Sequence, residues 1–427
     1  LSAIFWIPVV ITAAAGALGA WLANRGIAVY HDGLRAMLPE VAAGRMLPRQ
    51  LASTSFKLSI GLLIAFVLPV SLASGILLIH ALWLGADLIG IWFASHNMPE
   101  HVQGWKTRLG QVGAGGAGAL YGALLMLGLQ GFNYLAGQLP VPLDATRLAF
   151  SQPVVFSFAA FPAIGLAYQY GLRTGALAFV GILLTRLAAD WLGLVQPDVW
   201  ALACGLLFVT LAALRERRPN LPGNELHFEA QFKRLRRRLP LIAILGMLYG
   251  LAAQHLALVE GPQSLLAISG GSRTAALAIS LARALAFTPI KGMAVLTSGV
   301  FVTDGLGFAW TAGLAAPQPW SAALLGGLAM SVEVLALGLL GSLLQRYPGL
   351  VKAAGTMRTA MTRLLEAATL VGGMLAAENL VPGYGFLCVA GLAMINEATG
   401  TPLLRIAVGP VAILLAWAAA NALTFMV

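Results

Sequence analysis

The chain has 427 residues, of which 59% are hydrophobic and 10% charged, with a mean hydropathy of +0.84 and a formal charge of +10. A water-soluble domain carries about a quarter of its residues as charges, so this composition excludes a soluble globule. The basic excess sits at the ends of apolar stretches and in one polar loop, which fits lipid head groups and topology and sets nucleic acid aside as a partner.

In chain order, apolar stretches long enough to cross about 30 Å of hydrocarbon fall at 4–23, 58–80, 112–135, 154–170, 174–192, 199–214 and 241–257. Between the first two lies a polar loop with Arg25, Arg35, Arg45, Arg49 and Lys57. Within it an apolar stripe of Leu34, Met37, Leu38 and Val41 predicts a short surface helix or a re-entrant hairpin. His31 and Asp32 are adjacent there and diverge on a helix, so no metal site is expected. Cys204 and Cys388 both sit in apolar segments and suggest neither a disulfide framework nor a metal site.

Loop 215–238 carries eight Lys/Arg, which places it in the cytoplasm. With an external N-terminus, seven crossings reach that loop on the correct side and leave loops 25–57 and 96–110 inside. All Lys and Arg then lie in internal loops except Arg147, Arg186, Arg273, Arg283, Lys291 and Arg363. The second half echoes the first. Gly85-Ala-Asp87 resembles Val302-Thr-Asp304, 112–135 resembles 321–344, and 175–193 resembles 384–400. An odd number of crossings inverts the second half in the membrane, which is the usual plan of secondary transporters. The expected organisation is therefore a first repeat at 1–214, a basic linker at 215–239 and an inverted repeat at 240–427. Both termini are expected outside the inner membrane.

A charge at the bilayer centre costs roughly 2.5–3.5 kcal/mol, so intramembrane ionisable residues need a partner or a task. Arg186 and Asp190 stand four apart and can pair on one helix face, as a structural bridge or as a substrate contact. Glu333 and Glu366 lie in apolar runs, where burial favours the protonated carboxyl. With Asp87 and Asp304 they are the candidates for a coupling proton; a hydrogen bond between helices is the alternative for each.

Three segments look like interrupted helices. Ser151-Gln152-Pro has the ingredients of a helix start able to bind an anion or polar group. Thr356-Met-Arg358-Thr is its counterpart in the repeat. Ile268-Ser-Gly-Gly-Ser-Arg-Thr lacks the Lys-Ser/Thr ending of a nucleotide-binding loop and is expected to be irregular backbone. Asn396-Glu397-Ala-Thr-Gly-Thr-Pro ends one span and starts another, either as a site or as a plain turn. No Ser-His-Asp, Cys-His, HExxH or paired-carboxylate pattern is present, and no catalytic residue, metal or cofactor is expected.

Taken in order, Tyr30-His-Asp-Gly-Leu-Arg, Gln152-Pro-Val-Val, Tyr168-Gln-Tyr-Gly, Ser331-Val-Glu-Val, Arg346-Tyr-Pro, Arg358-Thr-Ala-Met and Asn396-Glu…Gly400-Thr-Pro resemble the YhfT family of bacterial inner-membrane proteins. The resemblance spans nearly the whole chain. It implies a multi-pass transporter of unsettled substrate, often encoded beside a phosphotriesterase-like protein and pyridoxal-phosphate enzymes, and hence a small polar metabolite. Gln152 stands where relatives are expected to carry a second Ser.

The expectation is an all-α membrane protein of about 12–14 membrane segments in two inverted repeats, with broken or re-entrant helices. It would be a secondary-active transporter of a small polar metabolite, an anion being one option, with proton coupling, an elevator-like motion and a homodimer as further expectations. Ser151, Gln152 and Asn396 would hydrogen-bond the substrate, Arg186 or Arg358 would meet an anionic group, and Glu397, Glu333 or Glu366 would carry a proton. A channel, a lipid-handling protein and a non-transporting scaffold remain open alternatives.

Overall fold

The computed structural model describes residues 3–30, 63, 67–95, 105–141, 151–194, 197–216, 232–233, 235–298, 301–302, 307–344, 347–398 and 405–426. Asp304 and the stripe at Leu34–Val41 lie outside them, as do the side chains of Ser151, Gln152 and Arg358.

Helices dominate. In order they are α1 (Ala3–Asn24), α2 (Leu68–Ser74), α3 (Ile79–Ser95), α4 (Trp105–Ala136), α5 (Ser151–Tyr170), α6 (Leu172–Trp191), α7 (Pro197–Leu214), α8 (Leu239–Gln254), α9 (Pro262–Ser269), α10 (Arg273–Ser298), α11 (Gly307–Ala315), α12 (Pro319–Leu344), α13 (Pro348–Leu380), α14 (Gly385–Ala398) and α15 (Val408–Met426). Four two-residue strands interrupt them: β1 (Ala28–Val29), β2 (Leu77–Leu78), β3 (Leu258–Val259) and β4 (Phe301–Val302). Among the described residues, five stretches are long and apolar enough to cross a membrane: Phe5–Asn24, Arg108–Ala136, Leu172–Trp191, Pro197–Leu214 and Pro319–Leu337. Ile79–Ala94, Leu239–Gln254, Gly385–Ala398 and Val408–Thr424 are shorter apolar helices. Their outward faces carry large apolar side chains such as Leu177, Leu187, Leu120 and Leu328, as a lipid-facing surface requires.

The order of elements recurs. A helix and a strand (α1 and β1, α8 and β3) are followed later by a strand, a helix and a long helix (β2, α3 and α4; β4, α11 and α12), then by three helices (α5–α7, α13–α15). The packing recurs as well. α1 lies on α4 with Gly16 against Gly118 and Thr12 against Gly122, and α8 lies on α12 with Gly246 against Gly326 and Gly250 against Ala322. A Cβ at Gly16, Gly118, Gly246 or Gly326 would strike the partner's backbone, so these glycines set the closeness of each helix pair.

The strands pair across the two runs. β1 is parallel to β4, with Ala28 opposite Phe301 and Val29 opposite Val302. β2 is parallel to β3, with Leu77 opposite Leu258 and Leu78 opposite Val259. One large apolar core includes α1, α3, α8 and α11 around these strands, and a smaller core lies between α5, α6, α7 and α13.

Two sequence expectations change. Stretch 58–80 is not one span. α2 ends at Gly75, whose left-handed φ of 70° turns the chain into β2, a reversal that hydropathy does not register. Thr356–Arg358 is not a helix start, because α13 begins at Pro348 and runs unbroken to Leu380, with Thr356 Oγ1 bonded back to Ala353 O at 3.2 Å. Glu333 is buried on α12. The glycine contacts make α8 and α12 antiparallel, and about two turns beyond Gly326 Glu333 comes level with Leu239, the first residue of α8 and the end of the basic loop. The interrupted helix at Gly270–Gly271 is observed as expected, as a turn between α9 and α10 with Gly271 at φ 78°.

A candidate polar site at the crossed strands

Each strand ends where a helix is about to start or has just ended, so backbone polar groups reach a buried region with no continuous helix to satisfy them. Side chains take over that role. Beyond β1, the Tyr30 N–H donates to Asp87 Oδ2 at 2.8 Å, and Asp87 on α3 is fully buried. Before β2, Ser71 Oγ accepts the Leu78 N–H at 3.0 Å. Trp310 Nε1 on α11 donates to Leu258 O in β3 at 2.8 Å.

Beyond β3 the chemistry becomes ionic. Glu260, 3% exposed, forms an ion pair with Arg283 of α10 and accepts from Ser264 Oγ at 2.6 Å. Arg283 Nη2 also donates to the Glu260 carbonyl at 2.9 Å. Gly261 permits this approach, because a Cβ there would collide with the guanidinium. His80, just past β2, stands edge-on to the Tyr30 ring at 5.1 Å and within the field of Arg283. On α3, one turn before Asp87, Trp83 stacks on Tyr249 of α8 with ring centroids 5.5 Å apart.

The crossing thus collects Asp87, Glu260, Arg283 and His80 from both runs of elements. Among the described residues, Trp83 Nε1, Tyr249 Oη and Gln263 Nε2 are buried without a hydrogen-bond partner. Buried ion pairs of this kind seldom add stability over apolar packing, so their presence asks for a reason beyond the fold.

The residues singled out from sequence are distributed differently. Asp87 is at the crossing. Arg186 donates to Asp198 Oδ1 at 2.7 Å, linking α6 to the first turn of α7, a partner that periodicity on a single helix could not reveal. Glu397 is exposed and holds Arg405 through two hydrogen bonds of 2.6 and 3.0 Å. Glu366 faces Arg363 at 3.3 Å, three residues away on α13. Asn396 is half-buried near the end of α14.

α5 starts at Ser151 as expected, but it runs antiparallel to α13, with Gly165 against Met357 and Gln169 Nε2 donating to Gly349 O at 2.9 Å. Ser151 is therefore about 20 Å along α5 from the level of Thr356–Arg358, and these two polar segments do not meet. Sequence reasoning missed Glu260 and Gln263 altogether, although the Glu260-Gly-Pro break was a signal. Arg283 stood out only as a cation without an assigned place.

The family model described as YhfT, a protein of unknown function, matches residues 8–427. The chain belongs to the YhfT family. It is 29% identical over 440 residues to the uncharacterized protein YhfT of Escherichia coli (strain K12), covering 99% of this chain and 98% of that relative. No solved structure matches it. Family membership assigns no activity, and the chemistry of this chain rests on its own residues. Among those described, no group of three or more His, Cys, Asp or Glu is arranged to hold a metal.

Proposed function

We propose that this chain is a secondary-active transporter of a small polar metabolite across the bacterial inner membrane, with its binding site at the crossed strands. The observation that carries the reading is the pair of buried carboxylates Asp87 and Glu260, the latter ion-paired with half-buried Arg283, at helix interruptions shared by the two runs of elements. Discontinuous helices with polar groups at a repeat interface are how transporters hold a solute within lipid. The recurrence of elements supports the division into repeats at 1–214 and 240–427. A two-fold operation that exchanges the halves turns β1–β4 into β3–β2, and with an odd number of crossings its axis lies in the membrane plane.

In this reading, α5–α7 and α13–α15 form the unit that moves against the rest, as an elevator or a rocking bundle. α9 touches α5, and α10 packs on α7 and α13, so the crossing abuts the boundary along which such a motion runs. We favour the crossing over the sequence-based set of Ser151, Gln152, Arg186, Arg358, Asn396 and Glu397, because Glu397 is exposed, Arg186 is half-buried, and both are already ion-paired. Asp87 is the favoured coupling carboxylate, being fully buried at the crossing, whereas Glu366 is paired near the surface and Glu333 lies level with a helix end.

The test is a thermal-shift screen of the purified protein against small polar metabolites, followed by uptake of each hit into proteoliposomes under an imposed pH gradient. Saturable, gradient-driven accumulation that is lost in well-folded Asp87→Asn supports the reading. A ligand that binds but never crosses identifies a scaffold or receptor, and non-saturable flux identifies a channel.

A further inference from the structure

We propose that the first turn of α9, with Gln263 and Arg283, is the seat for an anionic group of the solute, a carboxylate or phosphate ester, and that the Glu260 carboxylate fills this seat when no solute is bound. The inference deepens the transport reading and depends on it only for the word solute.

α9 opens with Gly261 as its N-cap, which supplies no side-chain acceptor, and Pro262 follows. The first N–H groups of a helix have no partner within it and carry the positive end of its dipole. Arg283 adds a full positive charge, laid against the backbone at Gly261. The same turn carries two more donors, the Ser264 hydroxyl and the Gln263 amide. Such an arrangement is an anion cradle, and the anion now in it belongs to the protein: Glu260 accepts from Ser264 through one oxygen and meets Arg283 with the other.

The fit is incomplete. The Gln263 side chain is 2% exposed, and its Nε2 has no hydrogen-bond partner among the described residues. Leaving a buried amide donor unpaired costs stability, so Gln263 is there for an acceptor that Glu260 does not supply. Arg283 is the more reachable of the ion pair, its side chain 17% exposed against 2% for Glu260. An incoming anion can therefore engage Arg283 and Gln263 together, with Glu260 displaced as the internal competitor.

The experiment measures binding to the full-length purified protein by calorimetry and thermal shift, with glycerate, glycerol 3-phosphate and inorganic phosphate as probes and glycerol as the neutral control. Glu260→Gln removes the competing charge and is expected to bind an anionic probe roughly ten-fold more tightly, the scale of one charge-assisted hydrogen bond. Gln263→Leu is expected to weaken the same probe by a similar factor, and Arg283→Gln to abolish its binding. If Arg283→Gln does not fold, Glu260→Gln and Gln263→Leu still decide.

Unchanged affinity in Glu260→Gln, or binding of glycerol alone, overturns the proposal. Stabilisation by phosphatidylglycerol nanodiscs that soluble anions fail to compete away would reassign the seat to a lipid head group and also overturn it. Anion binding without flux in proteoliposomes would instead defeat the transport reading and leave this seat standing.

Discussion

At the residue scale, the crossing depends on a few groups whose removal has a calculable direction. Asp87→Ala strands the buried Tyr30 N–H, an unsatisfied donor worth about 1–3 kcal/mol, and should lower the midpoint of thermal unfolding by several degrees. Asp87→Asn keeps an acceptor oxygen in place and should cost clearly less; equal losses in both variants would mean that the hydrogen bond is not what matters. Gly261→Ala places a methyl group against the Arg283 guanidinium, and overpacking of this kind costs about 1–3 kcal/mol. It should be read by thermal unfolding of the detergent-solubilised protein. The sequence announced Asp87 as an acid in an apolar run but could not name the strand-end amide that it serves. That pairing joins residues far apart in the chain, and no local pattern encodes it.

At the element scale, the repeated closeness of α1 to α4 and of α8 to α12 rests on glycine against backbone. Gly118→Val and Gly326→Val should each destabilise by at least about 1–3 kcal/mol, because a helix backbone cannot yield as a side-chain tip can. Gly116→Val, on the outer face of α4 with no atom within 4 Å of its would-be Cβ, should leave the unfolding midpoint nearly unchanged. A comparable loss at Gly116 would show that helix propensity, not contact, sets the effect. Spans such as α1, α6 and α7 were legible because apolar length alone specifies them. The break between α2 and β2 was not, since it depends on the sign of φ at Gly75 within an otherwise apolar stretch. The unbroken course of α13 was misread for the opposite reason. Thr356 and Arg358 look like a polar start, yet their hydroxyl and backbone groups are satisfied within the helix that Pro348 begins.

At the scale of the whole molecule, the two runs of elements are bound to each other by their strands. Leu77→Cys combined with Leu258→Cys places thiols at directly opposed strand positions, within range of a disulfide. After oxidation and proteolysis in loop 215–238, the halves should migrate together until reduced; separation without reductant would contradict the β2–β3 pairing. The proposed inverted arrangement makes a second prediction. A reporter active only outside the cytoplasm should be active when fused at either terminus and inactive within 215–238. Activity at one terminus alone would leave the halves parallel and remove the basis for an alternating mechanism.

Composition and hydropathy by themselves determined a membrane protein, the positions of its long apolar helices and the basic loop between its halves, because burial in lipid is set by each segment's own side chains. The ordered motifs already resembled the family that the full-length match then established. Only the tertiary structure decided which charges are buried together. Asp87 reaches the Tyr30 amide and Glu260 lies beside Arg283 where two pairs of two-residue strands cross between halves, and strands that short form only when distant helices bring their backbones into register.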